Sequence, residues 1–416
     1  MVIIQVNDND LPGCRFNGHD LQLALNEKGH QAYQFVLNKT GDKDTTIPLL
    51  SKRLDFLRGN LIEFERHLSM NGLAYSMGRN IMSRQEFQNA DIVHYHLIHN
   101  YFLSLLDFPE LTKTKPSIWT IHDPWAFTGH CVHPQECAGW KTGCKSCPKL
   151  HEYFPMRYDK AWQMWKIKKQ VYSQLDIDII VASKFMEKYV KDSPMTKQME
   201  RVHTIPFGIK IEDFGLALKT DARKQWNIPN NDFVIAFRAE DSEFKGLKYI
   251  LQMLKVLDTT QKITLLTVGH STLPKNLKNR YNLVELGWQD NPKAISLFYT
   301  ACDVFLMPSI AEAFGLMAVE AMASSRPVVV FEGTALPSVT FAPECGIAVS
   351  KGNSNALKDA VERLMVNPDE CKNRGEKGRE LAEKYYGFEE YVNRHMKLYE
   401  EIIKRKKLVV EGVANG

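Results

Sequence analysis

The 416-residue chain has no apolar run as long as the ~18 residues of a membrane-spanning helix. Its first residues, Met1-Val2-Ile3-Ile4-Gln5-Val6-Asn7, have no basic lead and no cleavage pattern. They read as a buried strand rather than a signal peptide, so the expected location is the cytoplasm. Charge of one sign is also scarce. Lys and Arg number 53 against 49 Asp and Glu, a net +4, which gives no argument for a nucleic-acid partner. There is no internal repeat and no low-complexity tract. The 44% hydrophobic and 25% charged residues are those of a soluble globular protein. The length suits two domains of roughly 150–200 residues each.

Short apolar runs alternate with helical patterns from end to end, the pattern of a parallel α/β protein. Strands are expected at 2–6, 92–95, 118–121, 179–181, 234–237, 264–268, 304–307 and 328–331. Each is rich in β-branched or aromatic residues, as strands buried on both faces are. A first helix follows Gly18 and closes at Gly29. One series of elements ends near 202–206, the segment from Pro206 reads as a linker, and a second series starts at Val234. The domains are therefore set at 1–205 and 206–385. A charged amphipathic helix at 386–407 is expected to pack back on the first domain, with Tyr391, Met396, Tyr399 and Ile402 on one face. Two doubly wound domains imply a cleft, with ligands at the carboxyl ends of strands.

The most informative segment runs from Asp303 to Ala323 as strand, Pro308-Ser309 loop and helix. Glu312 falls in the loop. Phe314, Gly315 and Leu316 fall at the helix start, where free N–H groups and the dipole favour a phosphate. Gly315 lets the backbone approach a ligand closely. Glu320 lies one turn further, where a carboxylate suits a ribose diol.

These residues resemble the retaining GT-B glycosyltransferases of family 4. That family carries Pro-Ser-x-x-Glu-x-Phe-Gly-Leu with a second Glu eight positions after the first; Pro308, Ser309, Glu312, Phe314, Gly315, Leu316 and Glu320 match. The resemblance implies a GT-B fold of two Rossmann-like domains facing across a cleft. It gives Glu312 the donor sugar hydroxyls, Glu320 the ribose, and the backbone of 314–316 the distal phosphate. Arg238 and Lys245, in Phe237-Arg238-Ala239-Glu240-Asp241-Ser242-Glu243-Phe244-Lys245-Gly246, match the family's cationic pair. A diphosphate leaving group needs such partners. The family usually has Gly where this chain has Phe237, and Pro-Glu where it has Pro337-Ser338. Leu286-Gly287-Trp288-Gln289-Asp290 resembles the loop beside the nucleotide base.

In the first domain, Gly18 matches the glycine whose backbone meets the donor diphosphate. Thr120-Ile121-His122-Asp123 matches a strand end whose His lies near the transferring sugar, so His122 joins Glu312 as an expected catalytic residue. His94 and His96 divide between lining that site and a structural role. The resemblance implies transfer on one face without an enzymic nucleophile, the protein supplying position and stabilisation of the leaving diphosphate. No Asp-x-Asp motif lies near the donor segment, so no divalent metal is expected there.

Cys131, Cys137, Cys144 and Cys147 crowd into the loop 130–148. Four thiolates suit structural zinc; disulfides or unligated thiols are the alternatives. The arrangement His122-Asp123-Pro124-Trp125 through Thr128-Gly129-His130-Cys131 resembles a family 4 branch that includes the colanic-acid enzymes. Its members build surface polysaccharide on lipid carriers. The expected partners are thus a nucleotide-diphosphate sugar and a saccharide acceptor, lipid-linked. Trp162 and Trp165, interleaved with Lys166, Lys168 and Lys169, suggest a peripheral contact with the inner membrane face. Competing readings are a zinc-stabilised GT-B-like binding protein with vestigial activity, and a GT-B phosphorylase or epimerase relative.

Overall fold

Runs of Val, Ile, Leu and Phe form strands buried on both faces, and amphipathic segments cover them. The computed structural model describes residues 1–50, 52–74, 77–215 and 217–414, with the backbone alone for 52–57 and 409–414. Contacts divide the chain into two units. One comprises Met1–Ile205 with Tyr391–Gly416, the other Pro206–Glu390.

The first unit holds seven parallel strands: β1 (Val2–Asn9), β2 (Gln31–Asn38), β3 (Thr46–Pro48), β4 (Ile92–Tyr95), β5 (Ser117–Ile121), β6 (Asp178–Val181) and β7 (Val202–Thr204). Their order is β3-β2-β1-β4-β5-β6-β7. The order reverses between β1 and β4, where Ile3 pairs with Ile92 and Val6 with Tyr95. The second unit repeats the design with β8 (Phe233–Arg238), β9 (Ile263–Val268), β10 (Asn282–Glu285), β11 (Val304–Met307), β12 (Val328–Phe331) and β13 (Ile347–Val349), ordered β10-β9-β8-β11-β12-β13. Here the reversal lies between β8 and β11, in register at Ile235 and Val304. Both are Rossmann-like sheets, and such sheets bind ligands beyond the carboxyl ends of strands at the reversal.

The helix Phe388–Ala414 runs beyond the expected end at 407. Tyr391, Val392, His395, Leu398, Tyr399 and Ile402 are buried, whereas Met396 is only half-buried. Arg405 pairs with Asp178, and Lys406 with Asp176. The segment after Pro206 is not loose. Ile209 donates to the Tyr386 carbonyl at 2.8 Å and accepts from Phe388 N–H at 2.9 Å.

Candidate functional site

In the second unit, the loops after β8 and β11 are zipped together. Ile310 N–H donates to the Phe244 carbonyl at 2.9 Å. Gly246, with φ +80°, lies so close that a Cβ would stand 2.0 Å from the Pro308 carbonyl oxygen. This contact sets Lys245 beside Glu312, and the Lys245 Nζ donates to Glu312 Oε2 at 2.8 Å. Both side chains stay partly exposed.

Glu312 is held from the other side, its carbonyl accepting from Ala335 N–H at 3.1 Å. Gly315, φ +104°, caps the helix Leu316–Ala323. A Cβ there would stand 2.4 Å from Leu336 Cδ2, so neither the conformation nor the space admits a side chain. Phe314 is buried edge-on against Phe207 and Tyr386. It anchors the turn through packing, while its backbone stays at the helix start. Glu320 is 2% exposed and its Oε2 accepts from the Tyr299 hydroxyl at 2.8 Å. Tyr299 is a residue that sequence reasoning missed. Its only signal was a helix position, and the pairing spans 21 residues.

Arg238 ends β8. Its Nη2 donates to Glu240 at 3.1 Å, its Nε is buried without a hydrogen-bond partner, and its guanidinium lies 5.5 Å from the centre of the Trp288 ring. Trp288 is exposed and stacks on His270, with centroids 4.7 Å apart and planes 5° apart. The indole thus has a cation and an imidazole beside it, Arg238 at the end of β8 and His270 in the loop after β9. His270 was not singled out from the sequence; its partner is 18 residues away in another loop.

The first unit gathers the other expected residues. Gly18, φ +89°, begins the helix His19–Glu27. A Cβ on it would stand 2.5 Å from His96 Nε2 and 2.8 Å from Gln5 Oε1. Asn17 is fully buried and braces the preceding loop. Its Nδ2 donates to the carbonyls of Asn9, Asp10 and Pro12, and its Oδ1 accepts from His19 N–H. His122, just beyond β5, meets His96 with Nε2 and Nδ1 3.2 Å apart. Burial pushes the His122 imidazole down to about 4, with His99 adding to the shift and Asp123 opposing it. It is therefore neutral near pH 7 and able to accept a hydrogen bond. His94 and His96 are buried, and burial first, then neighbouring histidines, holds both well below the ordinary 6.5. Asp123 caps the turn Pro124–Phe127 by accepting from Trp125 N–H, and lies 3.3 Å from His99 Nε2.

Cys131, Cys137, Cys144 and Cys147 line one small pocket of ≈ 10 Å³, room for about one water-sized particle. Gly129 N–H donates to Cys144 Sγ at 3.3 Å and Gly139 N–H to Cys137 Sγ at 3.4 Å. The thiols are free, which departs from a disulfide reading. Burial and then the other cysteines push Cys131 up to about 12. Burial also raises Cys144 to about 11, against the Gly129 N–H and nearby Lys168. Among the described residues, no group of three or more His, Cys, Asp or Glu side chains is gathered to hold a metal ion. The expected zinc ligands share a pocket without being arranged as a metal centre.

The basic aromatic helix is Ala161–Tyr172. Lys168 and Trp165 turn inward, which removes them from the surface expected to meet a membrane. Lys168 is fully buried, its Nζ donating to the carbonyls of Trp125 at 2.7 Å and Thr128 at 3.0 Å. Trp162, Lys166 and Lys169 remain outside. Among the described residues, no helix is long and apolar enough to cross a membrane.

Two Rossmann-like units, with acidic, cationic and glycine-capped elements at the carboxyl ends of their strands, define the GT-B class of fold. Two family models match in succession, Glycosyltransferase Family 4 over residues 19–213 and Glycosyl transferases group 1 over residues 219–381. The chain belongs to these glycosyltransferase families. WcaC of Escherichia coli, whose name assigns it to colanic acid biosynthesis, is 26% identical over 57% of this chain and 59% of its own. The chain spans about half the length of the curated relatives it matches. Sucrose-phosphate synthase from Thermosynechococcus elongatus aligns over 97% of this chain and 99% of its own, with TM-score 0.70 and 19% identity. Anabaena HepE, solved with UDP and glucose, aligns over 96% and 99%, with TM-score 0.65 and 14% identity. These two likenesses concern the fold.

Proposed function

We propose that the protein is a retaining hexosyltransferase, moving a sugar from a nucleotide-diphosphate donor to a lipid-linked saccharide in surface-polysaccharide assembly. The observation that carries this reading is the Lys245–Glu312 pair beside the Gly315-capped helix, at the strand-order reversal of the second unit. An arriving donor can divide that pair. Lys245 turns to the diphosphate, and Glu312 accepts from the sugar hydroxyls. Glu320 addresses the ribose, Arg238 the phosphates, and the N–H groups at 314–316 the distal phosphate. Gly18, in the first unit, is assigned to donor phosphate and His122 to the transferring sugar. Trp288 gives the base an aromatic face. The UDP seen with HepE supports the donor class, and the name of WcaC supports the polysaccharide assignment.

Transfer of this kind needs stabilised negative charge on the leaving group more than a covalent nucleophile. No divalent metal is assigned to the donor site. A structural zinc in the cysteine loop is proposed from the spacing and the shared pocket, and uptake there needs the thiols to turn toward one another. Zinc in protein purified without chelator, lost in Cys144→Ser, is the expected finding. A peripheral membrane contact rests on the lipid-linked acceptor and on Trp162, Lys166 and Lys169.

The test of function is a panel of UDP-, GDP-, ADP- and CDP-sugars read by nucleotide release. One donor should turn over with wild type, and Glu312→Ala should lose about 10²–10³-fold in kcat. Donor binding without turnover by wild type, for every sugar and saccharide acceptor offered, favours a binding protein and overturns the enzyme reading.

A further inference from the structure

Gln5, His94, His96, Thr120, His122 and Tyr399 of the first unit form one continuous hydrogen-bonded chain, and its directions can be followed from end to end. Gln5, fully buried in β1, donates through Nε2 to the Tyr399 hydroxyl at 3.1 Å. Its Oε1 lies 2.8 Å from His96 Nε2. His96 Nδ1 lies 3.2 Å from His122 Nε2. On the other branch, the Tyr399 hydroxyl lies 2.7 Å from His94 Nδ1, and His94 Nε2 lies 2.6 Å from Thr120 Oγ1.

An amide oxygen can only accept, so the hydrogen between Gln5 and His96 belongs to His96 Nε2. Burial keeps His96 neutral, so its Nδ1 carries a lone pair. The hydrogen between the two imidazoles therefore belongs to His122 Nε2. His122 is neutral as well, which leaves a lone pair on its Nδ1. The second branch agrees. The Tyr399 oxygen accepts from Gln5 and gives its own hydrogen to His94 Nδ1, and His94 Nε2–H then donates to Thr120. These directions follow from the amide orientation that places Oε1 at His96, and the opposite orientation reverses every one of them as far as His122.

We propose that Gln5, acting through His96, is a positioning residue that holds His122 with its hydrogen on Nε2 and its lone pair on Nδ1. This rests on the reading of His122 as a residue at the transferring sugar. His122 Nδ1 is buried in this structure; a lone pair there can accept from a sugar hydroxyl that reaches it, whereas an N–H would meet that hydroxyl as a second donor. Gly18 belongs to the same device, because any side chain on it would displace the His96 ring or the Gln5 amide. Tyr399 ties the amide nitrogen to the C-terminal helix. That tie spans 394 positions of the chain.

The experiment uses the full chain labelled with ¹⁵N-histidine, its His122 ring signals assigned by comparison with His122→Gln. The wild type should show a protonated Nε2 and an unprotonated Nδ1 near neutral pH. Tyr399→Phe keeps the ring but removes the acceptor of the Gln5 amide, and should yield a mixture of both His122 tautomers. Gln5→Met, which fills similar space, should do the same. In each variant kcat/KM should fall in proportion to the lost Nε2–H population. A wild-type His122 with its hydrogen on Nδ1 overturns the proposal. So does an unchanged tautomer in a folded Tyr399→Phe or Gln5→Met. The assigned tautomer in a protein that turns over no sugar nucleotide instead sinks the functional reading and leaves the proton chain standing.

Discussion

At the scale of single residues, the paired charges Lys245 and Glu312 and the crowded Gly18 respond to substitution in different ways. Lys245 and Glu312 are partly exposed and paired, so each can be replaced without opening the core. Lys245→Ala should leave the thermal midpoint within a few degrees and lower turnover of the accepted donor about 10²–10³-fold, the range for loss of one preorganised charge. Unchanged kcat in that variant removes Lys245 from the leaving-group site. Gly18 is the opposite case. Its φ of +89° and the 2.5 Å approach to His96 mean that Gly18→Ala should cost about 1–3 kcal/mol in denaturant unfolding, besides disturbing His122. A cost under about 0.5 kcal/mol shows that the ring moves aside freely. The place of Gly18 at the start of the first helix was legible from its motif. Its close approach to Gln5 and His96 was not, because those partners come from β1 and β4, far apart in the chain.

Whole elements show where sequence signals run out. The central strands β1, β4, β5, β6, β8, β9, β11 and β12 are dominated by β-branched, aromatic and other apolar residues, and each was visible. The strands missed, β3, β7, β10 and β13, lie at sheet edges or beside them. Their burial is partial, as in Asn282–Glu285 and Ile347–Val349, so period and composition lose contrast there. β2 is hidden differently, since polar Gln31 and Gln34 break its run. Gln34 is nevertheless buried, hydrogen-bonded to the His19 ring at 3.0 Å. The strand–loop–helix arrangement around Glu312 was legible because it is local: strand, loop, cap and two carboxylates fall between Asp303 and Ala323. The helix Ala161–Tyr172 shows the converse. Alternating Lys and Trp read as a surface, yet Lys168 lies inside, 3.2 Å from the centre of the Trp125 ring. It joins this helix to the turn that follows His122. Lys168→Met should keep the volume but strand the Thr128 carbonyl, at about 1–3 kcal/mol, and leave the Trp125 carbonyl only its longer bonds from Thr128. A folded Lys168→Met with wild-type stability assigns those carbonyls other donors.

Across the molecule the two units differ most in histidine. Residues 206–390 contain His270 alone, whereas the first unit buries a connected set. His94 and His96 sit well below 6.5, and His122 and His395 are pushed down to about 4, burial being the first cause for all four. Such groups bind fewer protons folded than unfolded. Their stabilising contribution is complete above 6.5, where the unfolded chain is neutral too, and is lost as pH falls toward the folded values. Each proton taken up on unfolding steepens the loss by about 1.4 kcal/mol per pH unit. Asp10 acts in another window. Burial pushes its carboxyl up, but hydrogen bonds from Gly41 and Thr40 outweigh that and hold it at about 2. Its contribution is complete above 3.8 and is lost only as pH falls through 2. Weakening between pH 6.5 and 4 therefore belongs to the histidines and to the first unit. Five of the seven tryptophans lie there, at 119, 125, 140, 162 and 165. On lowering the pH from 7.5 to 4.5, the thermal transition seen by tryptophan fluorescence should fall first, separating in calorimetry from a second transition of 206–390. Parallel decline of both transitions, or an earlier fall of the second, contradicts a histidine set kept neutral by burial. Tyr399→Phe should move the first transition and leave the second in place, because its partners Gln5 and His94 both belong to the first unit.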